Sequence, residues 1–360
     1  MPSGGHPRRP FSYFTPPSAG FWSCMPLSNG TSFLGPRRLD PWLYDGNLVL
    51  AVDGGCFRVH RVVMSSASRV FHDMLSSPQI TRSTDRKFDG CPVLTLHDSP
   101  QEVQIVLKTL YARPCVPELP SGRVLALTPL RQRIPADVPI HVSVLAAFLR
   151  LGRKYEIHWL FDEACLRIRQ CYPSSLFSLL FLPSDLKSPV TGRDKYDFQL
   201  INLAREFGLL SVLPVAMYRC VCSSPLVAIL DGYYCDSTVH RLTPVNQKSC
   251  IIGRDKLLEL RMLTFGWLKR QRPFCTDQVK CALGNLATIT ELWCPDRPGS
   301  RDPFLRWDPR WDSRFCSNCV VYCHREIEDG REDAWNELPS AFGFCSREQV
   351  MKNGHCNADD

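Results

Sequence analysis

The sequence predicts an α+β fold that passes into a mostly α-helical C-terminal region. Two β-rich runs flank Asp53-Gly54, and apolar residues recur at helical spacing from Ser99 to Pro173. Beyond Pro173, amphipathic stretches follow at 196–213, 247–270 and 278–293. A period of two places alternate side chains on one face of a strand, whereas a period near 3.6 lines one face of a helix.

Order is expected to begin near Trp42. Asn47 to Val52 alternates, and Cys56 to Val59 follows after Asp53-Gly54-Gly55. Asp-Gly between two such runs predicts a two-residue hairpin, with a type I′ turn whose central residues both need φ > 0. His60–Met64 and Ser66–Leu75 read as short helices, the first lined by Val63 and Met64 and the second by Val70, Phe71, Met74 and Leu75. Val93 to Leu96 is a third strand. Ser99-Pro100 places an N-cap before a first-position proline and so opens a helix, lined by Val103, Val106, Leu107, Leu110 and Tyr111. Helical spacing resumes at Val144, Leu145, Phe148 and Leu149 and continues through Leu160, Ala164 and Ile168.

Composition divides the chain further. Residues 1–36 hold seven prolines, five glycines and six serines, too little apolar surface to offset the entropy of ordering, and are expected to be a disordered tail. The segment 37–171 is the first folded unit. Six prolines between 113 and 140 mark a surface insertion within it. Residues 172–345 form the helical C-terminal region, and 346–360 a flexible tail.

The formal charge is +7, from 43 Lys+Arg against 36 Asp+Glu. Beyond residues 1–36, which carry two arginines and no acid, acids are interspersed with these cations nearly everywhere, and a phosphate-binding face needs cations in clusters, so no nucleic-acid partner is expected. No stretch of about 18 apolar residues occurs, so no membrane partner is expected. The start lacks the basic and apolar regions of a secretory signal. The 18 cysteines are therefore expected to be reduced in an intracellular protein, cytoplasmic or nuclear, and mostly buried as small apolar groups. None of Gly-x-Gly-x-x-Gly, a Walker loop, His-Glu-x-x-His or Gly-x-Ser-x-Gly is present, and no enzyme is expected.

Taken in order, the segments of the first unit resemble the BTB/POZ domain. Phe57 to Leu75 (FRVHRVVMSSASRVFHDML) is similar to the family's aromatic residue, histidine, serine-bearing turn and Phe-x-x-Met/Leu helix. Val93 to Ala112 (VLTLHDSPQEVQIVLKTLYA) is similar to its third strand and following helix, and Val144 to Cys165 (VLAAFLRLGRKYEIHWLFDEAC) to its last helix pair. The resemblance spans about residues 40–171. It implies a small sheet covered by a helical cluster, which serves as a docking surface for itself or for a partner protein. A protein-interaction protein, commonly a homodimer, follows as the expected function.

The signature residues carried by the resemblance are Asp45, Phe57, His60, Phe71 and Met74. It implies that His60 begins a helix and packs in the core, and that Asp45 orders the fold or the dimer surface. Val49, Phe57, Val59, His60, Phe71, Leu94, Leu96, Leu107, Leu110, Leu149 and Leu160 are expected inside. Two further roles come with the family, a substrate adaptor of a cullin-type ubiquitin ligase and a transcriptional regulator. Cullin-binding members carry a hydrophobic-x-Glu motif after the Phe-x-x-Met helix, where this chain reads Ser76-Ser-Pro-Gln-Ile80 without a glutamate. Leu203 to Cys220, Cys316-x2-Cys319 and Trp335 to Gly343 together resemble uncharacterised BTB proteins of mushroom-type (basidiomycete) fungi.

Cys316-x2-Cys319 has the spacing of half a zinc site, and Cys275-x5-Cys281 could supply the other pair. Cys323 and His324 stand by as substitutes. Structural zinc, buried free thiols and a redox or catalytic cysteine all remain open on sequence alone. A two-Cys two-His DNA-binding finger does not, because no His-x3–5-His follows.

Overall fold

The computed structural model describes residues 37–76, 87–112, 134–135, 138–181, 188–192, 196–293 and 301–345. The expected tails at 1–36 and 346–360, most of the insertion, and Ser77 to Ile80 lie outside the described residues. Five strands form one sheet: β1 (Arg38–Trp42), β2 (Leu48–Val52), β3 (Gly55–Val59), β4 (Lys87–Phe88) and β5 (Cys91–Thr95). Their order is β1-β3-β2-β5-β4. β2 and β3 pair antiparallel with Val52 opposite Gly55, while β1 joins β3 and β5 joins β2 in parallel.

The expected hairpin forms with a different turn. Of its two central residues only Gly54 has positive φ, at 80°, which is the requirement of a type II turn rather than I′. The I′ pattern appears instead at Asp89-Gly90 (φ 51° and 77°), between β4 and β5.

Helices α1 (Arg61–Ala67), α2 (Arg69–Ser76) and α3 (Pro100–Tyr111) lie over the sheet, followed by α4 (Val142–Lys154) and α5 (His158–Cys171). Leu48, Leu50, Phe57 and Val59 point from the sheet into a core shared with Met64, Phe71, Leu107, Phe148 and Leu160. Val49 is also buried, but on the opposite face, with Cys56 and Cys91 and against Trp42 and Phe88. Leu94 and Leu110 are only half-buried at the edge of the main core. His60 departs from expectation, because its ring stays 30% exposed at the start of α1.

Beyond α5 come α6 (Leu176–Phe181), α7 (Asp197–Glu206), α8 (Leu213–Ser223), α9 (Leu226–Asp231), α10 (Pro244–Phe265), α11 (Gln278–Leu292) and α12 (Ser317–Ala341). The two-residue strands Ile140–His141 and Val190–Thr191 pair across the junction, and Tyr233–Cys235 pairs with Thr238–His240 as a hairpin. The main core is continuous across residue 171, since Cys171, Tyr172, Leu176 and Phe198 belong to the cluster that holds Phe57 and Phe148. A second, smaller core joins Phe265, Trp267, Trp311, Phe315 and Ile327. The fold is thus an α+β unit followed by a mostly helical region.

α10 and α12 run antiparallel in close contact, and two glycines permit it. A Cβ on Gly253 would meet the Phe342 ring at 2.1 Å, and one on Gly330 would meet the Leu263 carbonyl oxygen at 2.5 Å. The second obstacle is backbone and cannot swing aside. Gly330→Ala is expected to cost about 1–3 kcal/mol by overpacking, read as a lower midpoint in guanidinium unfolding. In the first unit, Phe71 is buried and stacks on Tyr155 at 4.5 Å between ring centroids. Phe71→Ala should cost about 3–5 kcal/mol, and a wild-type midpoint for that variant would refute the assigned core.

Candidate functional site

Two groups of residues stand out, one at the start of α1 and one where α11 meets α12. In the first, Phe57 and Phe71 are core residues and Met74 is half-buried. His60 is the N-cap residue of α1, and its side chain makes no capping hydrogen bond. The first amides of the helix find partners elsewhere. The His60 N–H donates to the Tyr111 hydroxyl at 2.8 Å, and the Arg61 N–H donates to Asn47 Oδ1 at 2.8 Å. The His60 ring is held between Asp45, 3.2 Å from Nε2, and Tyr111, 3.3 Å from Nδ1. Asp45 is lowered from its usual carboxylate pKa by a backbone hydrogen bond and then by His60. This geometry fixes the chain entering α1 by joining the turn before β2 to the end of α3. Neither ring partner of His60 is a nucleophile of the Ser or Cys type. Two large apolar side chains flank the pair in sequence and face water, Tyr44 (83% exposed) and Val62 (73% exposed).

In the second group, Cys275, Cys281, Cys316 and Cys319 converge, with all four sulfurs within 4.8 Å of one another. The Cys275 and Cys316 sulfurs are 4.0 Å apart. Cys275 comes from the loop before α11 and Cys281 from its first turn. Cys316 is the N-cap residue of α12 and Cys319 lies in its first turn. The Cys316 amide N–H donates to Cys281 Sγ at 3.2 Å. Thr276, hydrogen-bonded to it, draws the Cys316 thiol down to about 5 against the effect of burial. Burial pushes the Cys281 and Cys319 thiols up.

The two proposed substitutes do not join the cluster. Cys323 sits one turn further along α12, where it accepts from Arg272 Nη1 at 3.1 Å. Burial pushes its thiol up to about 12, against the pull of the guanidinium. His324 is turned outward, onto the Trp307 ring at 4.5 Å and toward Asp312 at 3.5 Å. Arg272 was not singled out from sequence. It is buried over the Trp267 and Phe315 rings, 5.8 and 5.3 Å from their centroids, and donates to Asn285 Oδ1. The only signal for it was a cluster of cations, Lys269, Arg270 and Arg272, just ahead of Cys275. With Cys275, Cys281 and Gln278, these cations line a cleft of about 610 Å³.

The family model of the BTB/POZ domain matches residues 45–128. That stretch runs from Asp45 through the β2–β3 hairpin, α1, α2 and α3, and carries the first group apart from Tyr44, one residue before it. The match stops before α4 and α5, which the sequence resemblance also covered. No curated protein matches the chain. BTB/POZ is a protein-interaction family, and the match at residues 45–128 supports protein–protein interaction at a general level. Among the described residues, no helix is long and apolar enough to cross a membrane.

The cap of α1 can be tested directly. Tyr111→Phe removes the only hydroxyl that accepts the His60 amide and should cost about 1–3 kcal/mol, the penalty for stranding a partly buried donor. Urea unfolding of this variant beside Asp45→Asn, which leaves that amide paired, separates the two contacts. Equal midpoints for Tyr111→Phe and wild type would show that the hydroxyl is not the cap.

Proposed function

We propose that the chain is a protein-interaction protein that self-associates through the surface around α1 of its BTB/POZ domain. The carrying observation is the pair of exposed apolar side chains, Tyr44 and Val62, on either side of the Asp45–His60 contact. Aromatic side chains are enriched at the centres of protein interfaces, and Tyr44 is the most exposed large apolar side chain among the described residues. Among the described residues β1 is the edge of the sheet, paired with β3 alone, although α3 lies against it and Gln104 Nε2 donates to the Asp40 carbonyl at 2.7 Å.

The adaptor role would add a cullin to the partners, and the regulator role would add transcriptional co-factors. No residue favours either over simple self-association. The stretch Ser76 to Ile80 lacks the glutamate of cullin-binding members, and residues 172–360 show no cationic stripe. For the full chain, light scattering across a concentration series into the tens of micromolar should give twice the chain mass. Val62→Asp should return it to the monomer mass with an unchanged far-UV circular dichroism spectrum, because the side chain is exposed in one chain. A wild-type monomer over the whole series would overturn the self-association reading.

A further inference from the structure

We propose that Cys275, Cys281, Cys316 and Cys319 bind one Zn²⁺ as four thiolates, forming a structural centre that fastens α11 to the start of α12. The ligand set comes from two chain segments, Cys-x5-Cys and Cys-x2-Cys, that fold onto each other. A tetrahedral ion with Zn–S bonds of about 2.3 Å sets its sulfurs about 3.8 Å apart. The observed separations of up to 4.8 Å, and 4.0 Å for one pair, need only a small inward contraction. They are too short for a multi-iron cluster, whose thiolates are spread around several metal atoms.

The surroundings suit a metal better than four neutral thiols. Zinc with four thiolates carries a net charge of −2, which must be met by donors and cations around it. The Cys316 amide N–H points at Cys281 Sγ. The Arg272 guanidinium is buried one turn along, against Cys323, and Lys269 and Arg270 line the cleft on which Cys275 and Cys281 open. That cleft gives the ion a way in. Binding displaces a proton from each cysteine still in the thiol form and involves no change of oxidation state. With all four positions taken by protein, no site is left for a reacting water, so the centre holds structure and does no chemistry.

Packing says why such a fastening is needed. α11 buries only Cys281, Gly284, Thr288 and Leu292. It leaves Val279, Leu283 and Leu286 at 74%, 63% and 63% exposure. Leu292 and Cys281, with half-buried Ile289, are a thin apolar contact for a helix of 15 residues. A covalent-strength link at its first turn supplies what burial does not.

The test uses the full chain, expressed with zinc in the medium and dialysed against metal-free buffer. Elemental analysis should give about one zinc per chain. Exchange for Co²⁺ should give the visible bands of a tetrahedral thiolate site. Cys319→Ser should lose the metal, while Cys323→Ser should keep it. Chelation should raise hydrogen exchange in α11 first and leave β2 and β3 protected. If Cys319→Ser does not fold, X-ray absorption at the zinc edge of the wild type decides, with four sulfur neighbours at about 2.3 Å expected. Protein without zinc that also fails to take up cobalt would overturn the proposal. So would stoichiometric iron, a zinc shell with fewer than four sulfurs, or zinc retained by Cys319→Ser. Because this centre lies outside residues 45–128, its failure leaves the self-association reading untouched.

Discussion

Along α4, Val142, Leu145, Ala147, Phe148, Leu149, Leu151 and Gly152 are all buried. That is more than one helical stripe can carry, and it requires neighbours on several sides. α3, α5 and α7 all pack against it. The α5 side is so close that a Cβ on Gly152 would meet the Phe161 backbone nitrogen at 3.0 Å. On the one polar face that remains, Arg150 reaches Glu102 of α3 at 2.8 Å and Glu206 of α7 at 3.3 Å. Exposed pairs of this kind contribute little stability apiece. What they fix is the register of a helix that belongs to both halves of the chain. A break after Cys171 would strip Leu176, Val190 and Phe198 from the same core. The BTB/POZ segment therefore rests on the helical region as well as on its own sheet.

Where burial and local chemistry agree, the fold was legible in the sequence. Ser99-Pro100 opened α3 as expected, Pro173 closed α5, and the β2–β3 hairpin formed around Asp53-Gly54. The turn type was misread because an Asp-Gly pair permits I′ geometry without demanding it, and here Asp53 stays at ordinary φ. Short pairings such as Ile140–His141 with Val190–Thr191 leave no alternation long enough to detect. α12 passed unnoticed for another reason. Its buried residues run Cys319, Cys323, Ile327, Gly330, Arg331, Ala334, Trp335, Leu338, Pro339 and Ala341, helical in spacing but interrupted by a glycine, a charged residue and a proline. Gly330 would count against a helix by propensity, yet the crossing with α10 requires it.

The two candidate groups were legible to different degrees. Sequence spacing alone picked out the four cysteines that the fold brings within 4.8 Å, because Cys-x2-Cys is the spacing of half a zinc site and Cys-x5-Cys could supply the other pair. It could not exclude Cys323 or His324. Their exclusion comes from Arg272 and Trp307, which reach them only through tertiary packing. His60 was expected inside the core because the resemblance to the BTB/POZ domain implies a histidine packed there. The structure gives its ring to Asp45 and Tyr111 at the surface, a pairing that depends on α3 and is invisible in the local sequence.

The two cores are built on different physical terms. The main core is chiefly aliphatic and aromatic, with Cys165, Cys171, Cys220 and Cys250 among its members, and its stability scales with apolar area removed from water. The second sets Trp267 and Phe315 against buried Arg272 and holds Cys281, Cys316, Cys319 and Cys323 beside Leu268 and Leu292. Gly284 lets α11 lie against the Arg314 carbonyl, where a Cβ would come within 2.3 Å, and Arg314 then reaches Glu291 at 2.7 Å and Thr288 at 3.1 Å. Such contacts are directional, and they give geometry more than burial energy. A region of this kind holds its shape only while each contact is made. It therefore gains more than the main core would from one strong, geometrically demanding link, and the four converging thiols stand where α11 has least apolar area of its own.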